Sequence, residues 1–291
     1  MKVNGFSFIK NAVKYDFPVV ESIKSVLPLC DKFYIAVGKS DDHTLQLIRS
    51  IDKDKIEILE TEWDESQREG GRVLALEADK ALKMLPADTD WAIYIQGDEL
   101  FHDADYPAIK NAMKTFQYDS AVEGLLFNYL HFYGSYSFVA ASYVWYPKEI
   151  RIVKYNPSVY SYKDAQGFRK GDNEKLCVVQ IDATVYHYGN VRPPKVMQEK
   201  FQNSSKFYHD DEWVKEAFPE DSFDYYKHIK ELKKFEGKHP ALIQPRINKI
   251  NWSFEYDISM NKPSLKKKIK YFLRRHLGID LGYKNYILLK R

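Results

Sequence analysis

In the first half of the chain, short apolar runs alternate with stretches whose apolar residues recur at helical spacing. Residues 3–9, 32–37, 55–60 and 91–95 read as buried strands. Residues 18–27, 44–50 and 71–84 read as the helices between them. Strands separated by helices of this length form right-handed βαβ units in a mostly parallel sheet, an α/β fold. In such sheets ligands gather beyond the carboxyl ends of the strands, so residues just after each strand carry the functional question. From residue 121 to 188 the texture turns aromatic and strand-like, notably over 122–131 and 176–188, and residues 195–236 read as charged helix.

Composition narrows the class. The 291 residues are 44% hydrophobic and 29% charged, with a net charge of +3, which describes a globular chain with a full core and argues against a nucleic-acid partner. No apolar run reaches the length of a bilayer span, and the start lacks a signal-peptide pattern. Cys30 and Cys177 both lie in apolar surroundings, as buried thiols in a reducing, cytoplasmic setting do. Aromatic residues reach 15%, and tyrosines both fill cores and stack on sugars.

The segment Asp90-Trp-Ala-Ile-Tyr-Ile-Gln-Gly-Asp-Glu99 is an apolar strand ending in two carboxylates. Acids at such a position bind a divalent cation and hold it against a diphosphate, or they cap the next turn. The order of further motifs is informative. Ser40-Asp-Asp-His-Thr44 follows the second strand, Gly70-Gly-Arg72 opens the third helix, Gln96-Gly-Asp98 closes the fourth strand, and His187-Tyr-Gly-Asn-Val-Arg192 comes later.

In this order the motifs resemble the family 2 glycosyltransferases, over roughly the first half and on through Tyr186–Gly189. The likeness is to a bacterial branch in which Gln-x-Asp-Glu replaces Asp-x-Asp. The resemblance implies a GT-A fold, with a mostly parallel central sheet and a helical C-terminal region. It also implies transfer of a sugar from a nucleoside diphosphate to a glycan or lipid-linked glycan hydroxyl, with inversion. Asp98 and His187 are then the ligands of Mn²⁺ or Mg²⁺, with Glu99 a second acidic candidate. Gln96, Asp98, Arg192 and Asp64 face the donor, Arg151 the acceptor, and Asp164 takes the acceptor proton, with Asp172 and Glu174 open for that role. Two departures stand out: Gln96 replaces the first acid, and Val37-Gly38-Lys39 holds no acid where one often reads the base. Each residue has a structural alternative: a core histidine for His187, solvated loop acids, ion-paired arginines.

Residues 1–262 thus read as the catalytic domain and 263–291 as a basic helical appendage. Leu265, Ile269, Phe272 and Leu273 fall on one helical stripe, with Lys266, Lys267, Lys268, Lys270, Arg274 and Arg275 around it. Such a helix either lies on an anionic membrane surface at the inner face or packs its stripe on the domain. Two rival functions remain. A glycan-binding protein without turnover is kept open by Gln96. A sugar nucleotidyltransferase needs a glycine-rich phosphate loop after the first strand, and Phe8-Ile-Lys-Asn-Ala12 is not one.

Overall fold

The computed structural model describes the whole chain except residues 65, 68, 143, 144, 230, 262, 264 and 278–281, and the side chains of residues 69, 271, 274, 275 and 277. Its N-terminal half follows the alternation of the sequence. Strands β1 (Val3–Ile9), β2 (Lys32–Gly38), β3 (Ile56–Thr61) and β4 (Trp91–Tyr94) are joined by helices α1 (Val19–Val26), α2 (Thr44–Arg49) and α3 (Arg72–Lys83). The four strands are parallel in the order β3-β2-β1-β4. The chain therefore fills one side of β1 first and then returns to its other side. This reversal between β1 and β4 opens a crevice at their carboxyl ends. Each expected element of this half is present within one residue or two at its ends, and the expected α/β class holds.

The second half widens the same sheet. β5 (Glu99–Phe101), α4 (Tyr106–Phe116), β6 (Gly124–Tyr133), β7 (Ser135–Ala140) and β8 (Lys148–Lys154) follow. β8 pairs antiparallel with β4, and β6 antiparallel with both β8 and β7. β9 (Val159–Tyr162), β10 (Gly167–Lys170) and β11 (Glu174–Lys175) form a small separate sheet, before β12 (Cys177–Asn190) runs parallel beside β6 and antiparallel to β5. β6 is buried almost throughout, with apolar residues facing both sides, so its sequence lacks polar alternation. Helices α5 (Pro194–Ser205) and α6 (Asp211–Ala217) occupy the expected charged helical region, but that region does not stay helical to 236. Leu232–Lys234 forms β13, antiparallel to β7, because an open sheet edge supplies backbone partners there.

The C-terminal region divides. After the short helix α7 (Gln244–Ile247), helix α8 (Leu265–Leu277) carries Leu265, Ile269 and Phe272 exposed at 75%, 54% and 57%. Arg274 and Arg275, expected on its basic face, have side chains outside the described set. Beyond it β14 (Ile287–Leu288) pairs with β12, the Ile287 amide donating to the Leu176 carbonyl at 2.9 Å. Arg169 Nη1 donates to the Asn285 carbonyl at 2.9 Å, so residues 285–289 are part of the main fold.

Glu149, at the start of β8, is buried beside Arg151 and accepts from the Ile150 amide at 2.9 Å. Burial pushes its carboxyl up to about 7, against the pull of Arg151. The native state therefore holds this proton more tightly than the unfolded chain. The associated stability is complete below about pH 4.5 and is lost as pH rises through 7, by up to about 3 kcal/mol. Glu149→Gln is expected to raise the melting temperature at pH 8 and to leave it near wild type at pH 4. An equal effect at both pH values contradicts this titration.

Candidate active site

The crevice beyond β1 and β4 is a cleft of about 300 Å³. Four groups of residues contribute to its lining. Phe8, Ile9 and Lys10 come from the end of β1, and Gln96, Gly97 and Asp98 follow β4. Tyr146, Asp164 and Gln166 come from the second half, and Lys200, Asn203, Ser204, Phe207 and Tyr208 from α5 and the turn after it. Trp63, with Phe8 and Phe207 at ring-centroid distances of 5.9 and 5.7 Å, makes an aromatic wall.

The turn between β4 and β5 aims Asp98 into this cleft. Glu99 is turned the other way: Arg151 clasps it in a bidentate pair at 2.7 Å (Nε to Oε2) and 2.6 Å (Nη2 to Oε1), and the Tyr129 hydroxyl also donates to it. Both charged groups are fully buried. This corrects two expectations. Glu99 has its oxygens committed to the ion pair and is no metal candidate. Arg151 lies beneath the cleft and does not line it, so it does not meet an acceptor. Their role is to anchor the turn, since the Gln96 amide also donates to Glu99 Oε2 at 3.2 Å.

Asp98 is 6% exposed and ringed by basic groups. Lys200 Nζ stands 3.2 Å from its Oδ2, Arg192 Nη2 3.7 Å from the same oxygen, and His187 Nε2 3.5 Å from Oδ1. Burial pushes the Asp98 carboxyl up, but Lys200, His187 and Arg192 outweigh it and hold the group well below the usual carboxylate range. Burial, with Arg192 close by, pushes the Lys200 ammonium down to about 8. Arg192, expected at the donor, is fully buried. It donates through Nε to the Tyr15 carbonyl at 2.7 Å and through Nη1 to the Gly189 carbonyl, which leaves Nη2 toward Asp98. It supports Asp98 from below, which corrects its expected contact with the donor.

The orientation of His187 can be derived from its neighbours. His131 Nε2 lies 2.9 Å from the Tyr146 carbonyl and must donate to it. Burial, together with His187, pushes His131 well below its ordinary pKa, so its Nδ1 is an acceptor. His187 Nδ1 lies 3.2 Å from that atom and therefore carries the proton. With that proton on Nδ1, His187 Nε2 is the ring atom that faces Asp98 Oδ1, and a cation or proton shared between the two would satisfy both. Gly189 leaves the room beside them. A Cβ there meets the His187 imidazole at Nε2 and stands 3.0 Å from Asp98 Oδ2. One carboxylate oxygen and one imidazole nitrogen are a donor pair suited to Mn²⁺ or Mg²⁺. No cluster of three or more His, Cys, Asp or Glu ligands occurs among the described residues.

Asp164 sits in the loop between β9 and β10 and lines the same cleft. Tyr208 donates to its Oδ2 at 2.8 Å; burial and the Asp164 charge keep that hydroxyl protonated by pushing it up. Gly71, at φ +72°, lets this group close in: a Cβ at that position comes within 2.8 Å of both Asp164 Cβ and the Tyr208 hydroxyl. Gln96 is fixed by donating to the Ala165 carbonyl at 3.1 Å. Asp64 is not among the cleft residues. It is exposed and accepts from Ser66 at 2.5 Å, whereas its neighbour Trp63 faces the cleft. Asp172 and Glu174 are exposed and also absent from the lining, so of the three acids considered as base Asp164 is the one that lines the cleft. Lys200 was not expected from the sequence, where it is one of many cations in a charged helix.

No family model and no curated protein matches the chain. Among solved structures, Staphylococcus aureus TarS 1–349 is similar at a TM-score of 0.36 and 14% identity, over 75% of this chain and 69% of that one. A 4-diphosphocytidyl-2C-methyl-D-erythritol synthase from Anaerococcus prevotii is similar at 0.32 and 11%, over 76% and 85%. Glucosyl-3-phosphoglycerate synthase from Mycobacterium tuberculosis, in complex with Mn²⁺, UDP and phosphoglyceric acid, is similar at 0.30 and 16%, over 44% and 43%. At such distances none of these likenesses assigns a reaction or a ligand, and the architecture is defined by the strand order and register themselves.

Proposed function

We propose that the chain is a glycosyltransferase of the GT-A type, taking a sugar from a nucleoside diphosphate and passing it to a hydroxyl of a glycan or lipid-linked glycan. The observation that carries this reading is the convergence of Asp98, Gln96 and Asp164 on one cleft at the carboxyl edge of the parallel strands, with His187 Nε2 3.5 Å from Asp98 Oδ1. The aromatic wall of Phe8, Trp63 and Phe207 suits a nucleobase or a sugar face. Asp98 Oδ1 and His187 Nε2 would hold Mn²⁺ or Mg²⁺, whose chemistry is to neutralise a departing diphosphate. Asp164 takes the proton of the acceptor hydroxyl once Tyr208 has released it, and Gln96, tied to Ala165, sets the donor side of that carboxylate. Attack from the face opposite the diphosphate gives inversion. The test is a panel of sugar nucleotides scored by thermal shift with Mn²⁺ and with EDTA. One donor is expected to raise the melting temperature only with the cation, by mass action. A flat panel removes the reading.

No helix among the described residues is long and apolar enough to cross a membrane. We place the protein on the cytoplasmic side, with α8 as its contact with an anionic bilayer, because Leu265, Ile269 and Phe272 are exposed on a helix rich in lysine. Each cation near such a surface contributes about 1 kcal/mol, so attachment is salt-sensitive. Cosedimentation with phosphatidylserine-containing vesicles at low salt, and release at high salt, is expected. Replacing Leu265, Ile269 and Phe272 by serine should abolish it without unfolding the chain. Loss of folding in that variant places the stripe in the core instead.

A further inference from the structure

Resting on the function proposed above, we infer that Lys200 is a second phosphate-binding group of the donor site. In the free protein it is parked on Asp98, and it turns to the diphosphate when the donor enters. The ammonium is placed for this. It lines the cleft, it donates to the Gly189 carbonyl at 2.7 Å and lies 3.2 Å from Asp98 Oδ2, and these two contacts use two of its three protons. Its Nζ stands over the Phe17 ring, 5.1 Å from the centroid, so an apolar face as well as the two oxygens holds the head group in the cleft.

Charge argues the same way. Asp98 already has a cation beneath it. The Arg192 guanidinium is fully buried, and its Nη2 has no hydrogen-bond partner among the described residues other than this 3.7 Å approach. A buried ion pair needs one cation for one carboxylate, and a second placed on the same oxygen is a surplus positive charge facing the cleft. An anion of the size and charge of a diphosphate completes that arrangement. A divalent cation held by Asp98 and His187 would meet the phosphate oxygens on one side, and Lys200 meets them on the other. This two-point hold orients the bond to be broken and stabilises the negative charge that collects on the leaving group. Lys200 also lies on α5, the helix that leads to Phe207 and Tyr208. Recruiting it to the diphosphate therefore acts on the helix whose following turn bears Tyr208, the partner of Asp164.

The test is calorimetric binding of inorganic pyrophosphate and of the corresponding free nucleoside, each with Mn²⁺, to the full-length wild type, Lys200→Met and Lys200→Arg. Lys200→Met is expected to weaken pyrophosphate at least tenfold, to leave the nucleoside unchanged, and to be largely rescued in Lys200→Arg. A Lys200→Met protein that binds pyrophosphate as wild type does overturns the inference and leaves the proposed function standing. Equal weakening of pyrophosphate and nucleoside also overturns it, since that is the mark of a lysine that only neutralises Asp98. Should Lys200→Met fail to fold, Lys200→Gln is measured in its place against the same criteria. Wild-type protein that binds neither pyrophosphate nor any sugar nucleotide removes the function and this inference together.

Discussion

Asp164→Asn is expected to lower turnover by about two to four orders of magnitude while leaving donor affinity close to wild type. The carboxylate is the proposed base: it lines the cleft, and its close partner there is a hydroxyl that donates to it. An amide keeps the size and accepts the same Tyr208 hydrogen bond through its oxygen, so the local geometry is preserved and the basicity is removed. Asp98 and Lys200, the groups proposed to bear on the diphosphate, are untouched. The check is a pair of measurements: initial rate at saturating donor, and donor affinity by titration. Tyr208→Phe is the natural companion, because it frees the carboxylate and leaves its basicity in place. A rate in Asp164→Asn within tenfold of wild type moves the base elsewhere.

Arg151→Met is expected to be among the most destabilising single changes in the chain. It strands the Glu99 carboxylate in a fully buried site, at a cost of about 3–5 kcal/mol for breaking a buried pair. The loss also reaches the site, since Glu99 holds the Gln96 amide and with it the turn that presents Asp98. Arg151→Met combined with Glu99→Gln removes both charges and should recover a good part of the stability, the signature of a coupled pair. Urea denaturation of the two singles and the double supplies the cycle. A single Arg151→Met within about 1 kcal/mol of wild type contradicts the anchoring role.

The arrangement around these two residues also explains what the sequence could and could not reveal. The βαβ half was legible almost residue by residue, because apolar strands buried on both faces alternate with helices such as α3, whose Val73, Ala78, Ala81 and Leu82 fall on one buried face. Asp98 was legible as an acid at the end of a strand, and His187 through its surrounding motif. Long-range pairing was not legible. Glu99 and Arg151 lie 52 residues apart, and no local pattern says that the second acid of the turn faces inward while the first faces the cleft. The same holds for Arg192, whose exposure is set by Tyr15 and Gly189. Lys200 stands eight residues beyond Arg192 in a charged helix, and its singular position comes only from packing. Helix α4 does carry its own signal, with Pro107 in the first turn and Ile109, Ala112 and Met113 at helical spacing, and is absent from the expectations above. In the second half, the strand-like runs 122–131 and 176–188 correspond to β6 and β12, whereas β7 and β8 did not stand out from the aromatic-rich sequence around them.

The most direct measurement of the central claim is product analysis with the wild-type protein, a panel of sugar nucleotides, Mn²⁺ and a mixture of glycan acceptors. Release of a nucleoside diphosphate from one donor is predicted, faster with acceptor than without, together with an acceptor that has gained the sugar in the inverted configuration. Formation of pyrophosphate from a nucleoside triphosphate and a sugar phosphate would instead mark a nucleotidyltransferase. Glycan binding with no nucleoside diphosphate released from any donor would contradict the claim outright.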